Sequence, residues 1–413
     1  MSKIYPRWQT AKIYEALKTR RVLLLSGCRQ CGKTTLAREL QTSAQAEYLT
    51  LDDLVLKNAA EADPQGFVKR RSKMLIIDEV QRVPSLLPAI KMAVDEDTRP
   101  GQYLLTGSAN IQSLPNVQES LAGRVSKIRL RPLSMGEINS RKPLFLKHAF
   151  AQSFVEARNH YDKDDLLSLA FQGGFPEALT LNDRDRKRWH LDYIEALLER
   201  DLQDIAKIQR KASMRDLINV LAAWSSKFME ISSIGAGLSI RRPTLESYLN
   251  ALETLYLVER VPPWTKTDYE RVGKQSKLFM TDSGLLTSLL DWRFEQVRLD
   301  SDCAGKLIET YIFHELMTQI EAGNDGYRLC HYRDREKREI DFLIERDDGA
   351  LLGIEVKAGS AIGKSDFKHL KWFRENLLAK NQAMIAIILY AGEHIASFGE
   401  NLWAIPIGCL WEE

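Results

Sequence analysis

Apolar residues fall along this chain in three rhythms. In the first third they form short unbroken runs: RVLLL at residues 21–25, the KMLIIDE stretch at 73–79, and QYLLTGS at 102–108. Such runs predict strands buried on both faces of a parallel sheet. From residue 135 to about 210 the spacing is helical and amphipathic, with a loop around residues 182–185, and three short helical stretches follow at 214–225, 231–235 and 244–259. In the last, Leu245, Tyr248, Leu249, Leu252, Leu255 and Tyr256 mark one buried face. Pro243 suits the first turn, because it has no N–H to leave unpaired. In the final third a helix is expected over residues 306–320, and alternating residues at 338–346 and 350–357 predict two strands around Asp347-Asp348-Gly349. A three-residue loop ending in glycine suits a hairpin whose last loop residue takes positive φ.

At 413 residues, 44% hydrophobic and 28% charged, the chain reads as an ordinary soluble globular protein of about two to four domains. The net charge of +2 does not by itself call for nucleic acid, and the basic clusters at 69–71, 184–188 and Arg241-Arg242 are each compatible with a solvated face. The N-terminus shows no charged-then-apolar leader, and runs such as residues 384–389 are far too short to cross a bilayer. Five scattered cysteines form no disulfide framework, so a cytoplasmic location without membrane attachment is expected.

The first run leads into GCRQCGKTT, residues 27–35, which matches G-x-x-x-x-G-K-[ST] between a strand and a helix. There Gly27 and Gly32 let the backbone N–H groups from Cys28, Arg29, Gln30 and Cys31 face phosphate oxygens, and a helix starting near Lys33 adds its positive end. Lys33 is expected at the β and γ phosphates, Thr34 at magnesium and Thr35 beside it. The second run ends in two acids with separate tasks: Asp78 holds magnesium through water and Glu79 polarises the attacking water. Ser108 or Asn110, after the third run, are candidates for sensing the γ-phosphate. Arg124 either completes a neighbouring subunit's site or makes a structural ion pair. Cys28 and Cys31 have redox-motif spacing, but the loop itself sets that spacing, so redox control is the lesser reading.

Folding the C-terminal strands about Asp348 sets Ile340 against Val356, Phe342 against Ile354 and Ile344 against Leu352, an apolar face. The other face sets Glu339 against Lys357 and Asp341 against Glu355. Two carboxylates directly opposite repel, and a cation between them removes the repulsion. Oxygen ligands favour magnesium or manganese over zinc. Arg241 and Arg242 stand at the start of the 244–259 helix, where a helix-turn-helix meets phosphates; a lid or protein-contact module has the same pattern.

GCRQCGKTT, LDD at 51–53, LIIDEVQ at 75–81, LLTGS at 104–108 and SLAGRV at 120–125 together resemble a prokaryotic AAA-type ATPase family. GGFPE at 173–177 and Glu199-Arg-Asp201 resemble that family's helical region. Cys28 and Cys31 replace the proline and valine usual there, at positions that supply no catalytic side chain. The resemblance implies an α/β fold class: a P-loop parallel-sheet ATPase domain (1–134), a helical lid (135–210), a winged helix with connector (211–295) and a restriction-endonuclease-like α/β domain (296–413). The Asp-then-Glu-x-Lys hairpin resembles that nuclease core. By this resemblance Asp341, Glu355 and, from the preceding helix, Glu309 hold a metal, while Lys357 assists the attacking water. It also makes ATP the nucleotide. Three functions are then expected in competition: a homo-oligomeric motor or remodeller of duplex or branched DNA, an ATP-gated defence nuclease, and an ATP-driven protein-binding switch.

Overall fold

The computed structural model describes residues 3–69, 73–107, 123–156, 160–201, 211–266, 274–379 and 382–411. The N-terminal runs become β1 (Val22–Ser26), β2 (Glu47–Thr50), β3 (Leu75–Asp78), β4 (Tyr103–Gly107) and β5 (Val125–Arg129), paired in the order β2-β3-β4-β1-β5. Every pairing is parallel. Unbroken apolar runs suit this sheet because both faces are covered. Leu23, Leu25, Ile76 and Leu104 share a core with α1 (Gln9–Leu17) and α2 (Lys33–Ala44). Val22, Leu24, Leu75 and Ile77 meet α3 (Leu54–Ala62), α4 (Pro64–Val68) and α5 (Leu86–Glu96) on the other side. With all strands parallel, the loops after β1 and β3 emerge at one edge of the sheet, where open α/β sheets bind ligands.

Among the described residues the α-helices that follow are α6 (Met135–Ile138), α7 (Phe145–Ala151), α8 (Lys163–Gln172) and α9 (Asp183–Ala196). Next come α10 (Lys211–Ala223), β6 (Lys227–Phe228), α11 (Ile231–Gly237), α12 (Arg242–Thr254), β7 (Val258–Val261) and β8 (Lys277–Met280), the strands forming an antiparallel sheet in the order β6-β8-β7. The expected helix over 244–259 is too long. It ends at Thr254, where Tyr256 turns the chain at φ 59° and Leu257 N–H bonds back to Leu252 O. That is a left-handed helix stop, usually written with glycine, and a tyrosine there hides it from the sequence.

The remainder holds α13 (Ser283–Leu289), α14 (Phe294–Leu299), the long α15 (Ser301–Ala322), β9 (Arg328–Arg333), β10 (Glu339–Glu345), β11 (Leu351–Lys357), α16 (Lys368–Leu377), β12 (Met384–Tyr390), β13 (Ala396–Gly399) and β14 (Leu402–Pro406). The sheet order is β13-β14-β12-β11-β10-β9. The hairpin ladder runs from Phe342↔Ile354 to Glu345↔Leu351, and Gly349 takes φ 82°. The apolar-face expectation needs correcting at one end. A bulge against β9 between Ile340 and Leu343 moves Ile340 to the opposite core, with Leu343, Leu351 and the α16 residues Leu370 and Phe373. Both hairpin faces are therefore apolar, and the carboxylates gather only at the end away from the loop.

Helix α15 runs between these parts and bonds to several of them. Its Lys306 ammonium donates to Ala223 O, its Glu315 carboxylate accepts from Met135 N–H (2.9 Å), and its Gln319 amide donates to Leu410 O (2.7 Å). One continuous apolar core accordingly reaches from Ile13 to Trp411. Burial raises the Glu315 carboxyl from its ordinary 4.5 to about 8, against the pull of the Met135 N–H. A carboxyl raised this way favours folding below its unfolded value and loses that contribution as pH climbs through the folded one. Burial also lowers His190 from 6.5 to about 3, so its effect is confined to pH below 6.5. Thermal unfolding should therefore show the midpoint falling between pH 6.5 and 8. Glu315→Gln, whose amide oxygen can still accept from Met135, should reduce that fall by about 2–4 °C; an unchanged slope would assign it to other groups.

Candidate functional site

The glycine loop closes on itself. Gly27 and Gly32 have φ of 151° and 101°, and Gln30 joins them in the left-handed region at 59°. A Cβ on Gly27 would lie 2.1 Å from Leu130 O, so only glycine lets the loop pass beside the strand end. α2 begins at Lys33, directing its free N–H groups into the loop. The Lys33 ammonium is buried and donates to Gly27 O (3.0 Å) and Cys28 O (2.6 Å). Cys28 and Cys31 are also buried, and a hydrogen bond to Cys31, followed by burial, raises the Cys28 thiol.

At the end of β3, Asp78 is 2% exposed and accepts from Thr34 Oγ1 (3.0 Å), Tyr48 OH (2.6 Å) and the Thr106 hydroxyl. Thr106 Oγ1 in turn accepts from Glu79 N–H at 3.1 Å. Glu79 adopts φ 59°, an unusual conformation for its type, and its carboxylate is held by the Gln81 amide. The chain turns between the two acids, so Asp78 is buried behind Thr34 while Glu79 lines the cleft. Burial and then the Asp78 hydrogen bond push Tyr48 up to about 12, which keeps its proton on the bond.

The cleft, about 740 Å³, is bordered by Arg29, Gln30, Gly32, Lys33, Thr34 and Thr35 on its floor. Tyr5, Pro176, Trp189 and Tyr193 also line it. Arg7 ties the N-terminal segment to the loop. Its guanidinium donates to Cys31 O (2.7 Å) and Arg131 O (2.6 Å) and pairs with buried Glu137 (3.1 Å). Tyr48, Thr106, Arg7 and the aromatic wall were missed from the sequence. None carries a local motif, and each acts through a partner at least 24 residues away or through the cleft.

Other expected site residues fall elsewhere. Ser108 and Asn110 lie outside the described residues. Arg124 sits just before β5, at the sheet edge opposite the loop, and pairs with Asp95 (2.6 Å); this is the ion-pair alternative within one chain. Arg241 and Arg242 are exposed at the start of α12, where Arg242 donates to Glu246 (2.9 Å).

In the C-terminal part Glu309 and Asp341 do meet, but around an ammonium. Lys277 Nζ lies 2.6 Å from Glu309, 2.9 Å from Glu339 and 3.1 Å from Asp341. Burial alone would lower the Lys277 ammonium, yet Glu309, Asp341 and Glu339 raise it well above its usual value. Burial pushes Glu309 up to about 8 and also raises Glu355, which then feels Asp341. Lys357 is half-exposed, its ammonium 3.9 Å from Asp366. Among the described residues no group of three or more His, Cys, Asp or Glu is arranged to hold a metal. Where Glu309, Asp341 and Glu355 are expected to hold magnesium or manganese, a lysine from another sheet stands beside Glu309 and Asp341.

The parallel sheet, the glycine loop feeding a helix and the split pair of acids are the features of a P-loop ATPase fold. Comparison with known proteins agrees in this region: residues 19–139 match a family model described as an AAA domain. Residues 163–296 and 304–410 match two models described as domains of unknown function, DUF8612 and DUF4143. The chain is similar to the uncharacterized proteins Rv2008c of Mycobacterium tuberculosis and Mb2031c of Mycobacterium bovis, 28% identical over 96% of this chain and 82% of each relative. Among solved structures it resembles the Walker-type ATPase PABY2304 of Pyrococcus abyssi, at 15% identity and TM-score 0.42, over 69% of this chain and 96% of that one. It also resembles the Thermotoga maritima RuvB Holliday junction branch migration motor, at 18% identity and TM-score 0.28, over 65% and 95%. No helix among the described residues is long and apolar enough to cross a membrane.

Removing Arg7 leaves Glu137 buried without its cation and two loop carbonyls without a donor. Arg7→Ala should cost about 3–5 kcal/mol of stability and weaken nucleotide binding about tenfold by calorimetry. A folded variant with unchanged affinity would reduce Arg7 to a structural brace.

Proposed function

We propose that this chain hydrolyses Mg-ATP and uses the turnover to remodel duplex or branched DNA. The observation that carries the first half is the cleft in which Lys33, Thr34 and Glu79 face one space above buried Asp78. Phosphate oxygens compete for the Lys33 ammonium, whose present bonds go to neutral carbonyls, and for the N–H groups at the start of α2. Thr34 and Asp78 fit magnesium: both are oxygen donors, 3.0 Å apart, and Asp78 is held by Tyr48 and Thr106. When bound, magnesium neutralises charge on the β and γ phosphates. Glu79, fixed by Gln81 and by its own backbone, accepts a proton from water and orients it. Trp189, Tyr193 and Tyr5 supply flat apolar surface for a base. A second copy placing its Arg124 at this site would have to release the Asp95 pair, so a catalytic role for Arg124 implies a homo-oligomer.

DNA is supported by the middle segment. α10, β6, α11, α12, β7 and β8 follow the helix and strand order of a winged helix, with Arg241 and Arg242 exposed at the start of α12. The helices over 135–201 then act as a lid above the nucleotide. ATP hydrolysis should be stimulated several-fold by single-stranded, duplex or four-way-junction DNA, and Glu79→Gln should abolish turnover while retaining ATP binding. Arg241→Ala/Arg242→Ala should leave basal hydrolysis intact and remove the DNA stimulation. Turnover indifferent to every DNA form would move the reading to an ATP-driven protein-binding switch.

A further inference from the structure

Four carboxylates gather at the end of the β10–β11 hairpin remote from its loop: Glu309 from α15, Glu339 and Asp341 from β10, and Glu355 from β11. An acidic cluster alone invites a metal. Here its centre contains a side chain from a different sheet. Lys277 is 1% exposed, and its ammonium lies within 3.1 Å of oxygens from Glu309, Glu339 and Asp341. The rings of Phe228 and Phe279, 5.5 and 5.9 Å away, stand beside it. The remaining oxygen of Asp341 accepts Val356 N–H at 3.0 Å, so both its oxygens are engaged.

The lysine cannot easily swing aside. β8 is bonded on both edges, Lys277 opposing Phe228 on β6 and Val261 on β7, so the backbone that carries the side chain is fixed, and at 1% exposure another rotamer would have to find room inside the packed core. A divalent ion would need the same oxygens and would meet the lysine charge at contact distance. A carboxylate cluster that has its own buried cation is also a junction, since β8 belongs to the middle sheet while Glu339, Asp341 and Glu355 belong to the C-terminal one and Glu309 to α15.

We propose that Lys277 is the resident cation of this cluster: it fastens the middle sheet to the C-terminal domain, and it takes the place of a divalent ion, so that the site does not load metal for strand cleavage. This concerns the C-terminal domain and stands independently of ATP turnover.

The test is manganese binding by the full-length, nucleotide-free chain, read as free Mn2+ by electron paramagnetic resonance. Wild type and Asp341→Asn should bind the same number of ions. One more ion in wild type than in Asp341→Asn would overturn the proposal, and so would duplex-DNA cleavage that Asp341→Asn abolishes. Lys277→Met removes the ammonium and keeps the apolar stem. It should unfold several degrees lower, gain one Mn2+ site, and recover its midpoint when Mn2+ is added; Lys277→Met/Asp341→Asn should show no recovery. A folded Lys277→Met that gains no ion would equally overturn the claim that the ammonium occupies a cation position. Should Lys277→Met fail to fold, the comparison of wild type with Asp341→Asn still decides.

Discussion

The guanidinium of Arg131 has no solvent exposure, and its compensating charge comes from two other parts of the chain. Glu259 on β7 lies 2.6 Å away and Glu321 near the end of α15 lies 2.9 Å away. Arg129 adds a second bond to Glu259 at 2.8 Å, and Lys12 on α1 donates to the carbonyls of Glu321 and Gly323. A buried guanidinium without its partners is strongly unfavourable, so three segments distant in sequence must arrive together. Arg131 also presents its carbonyl to Arg7, which holds Cys31 O in the phosphate loop. Any strain that nucleotide imposes on the loop has a short polar route into the joint between the parts. Two-way coupling of this kind needs alternative arrangements of that joint.

The legible portion of the molecule is the portion written locally. The β1 and β3 runs are apolar throughout because alternate residues feed different cores, and the loop after β1 is dictated by glycines whose φ values no other residue adopts easily. Hairpin register was readable as well, since Asp347-Asp348-Gly349 fixes the turn and Phe342 must then meet Ile354. What escaped is written at long range. Nothing around Lys277 announces that its charge is destined for acids more than 30 residues further on, and Tyr48 gives no local sign of reaching Asp78. The bulge at Ile340 and the left-handed Tyr256 escaped for a different reason. Each uses an ordinary hydrophobic residue where a glycine would have signalled the irregularity, because packing supplies the compensation.

Lys33 and Lys277, both buried, show how burial alone says little about role. Lys33 bonds to carbonyls that carry no net charge, so its own charge is available to an incoming anion. Lys277 is surrounded by carboxylates and has its charge answered within the fold. The same side chain is left with an unanswered charge in one place and a neutralised one in the other, and the difference lies in the formal charge of its neighbours.

Trp411 is almost fully buried, with Tyr161 and Tyr311 against its ring. It also crowds Gly136, where a Cβ would lie 3.4 Å from the Trp411 Cβ and 2.3 Å from the Trp8 ring. The Trp8 backbone N–H donates to Glu137, the partner of Arg7. A ribosome releases the loop at residues 27–35 long before Trp411, which supplies part of the packing behind it. Nascent chains should therefore acquire a rigid nucleotide loop only once Trp411 has emerged, and chains cut short before it would present that unfinished surface to chaperones and proteases.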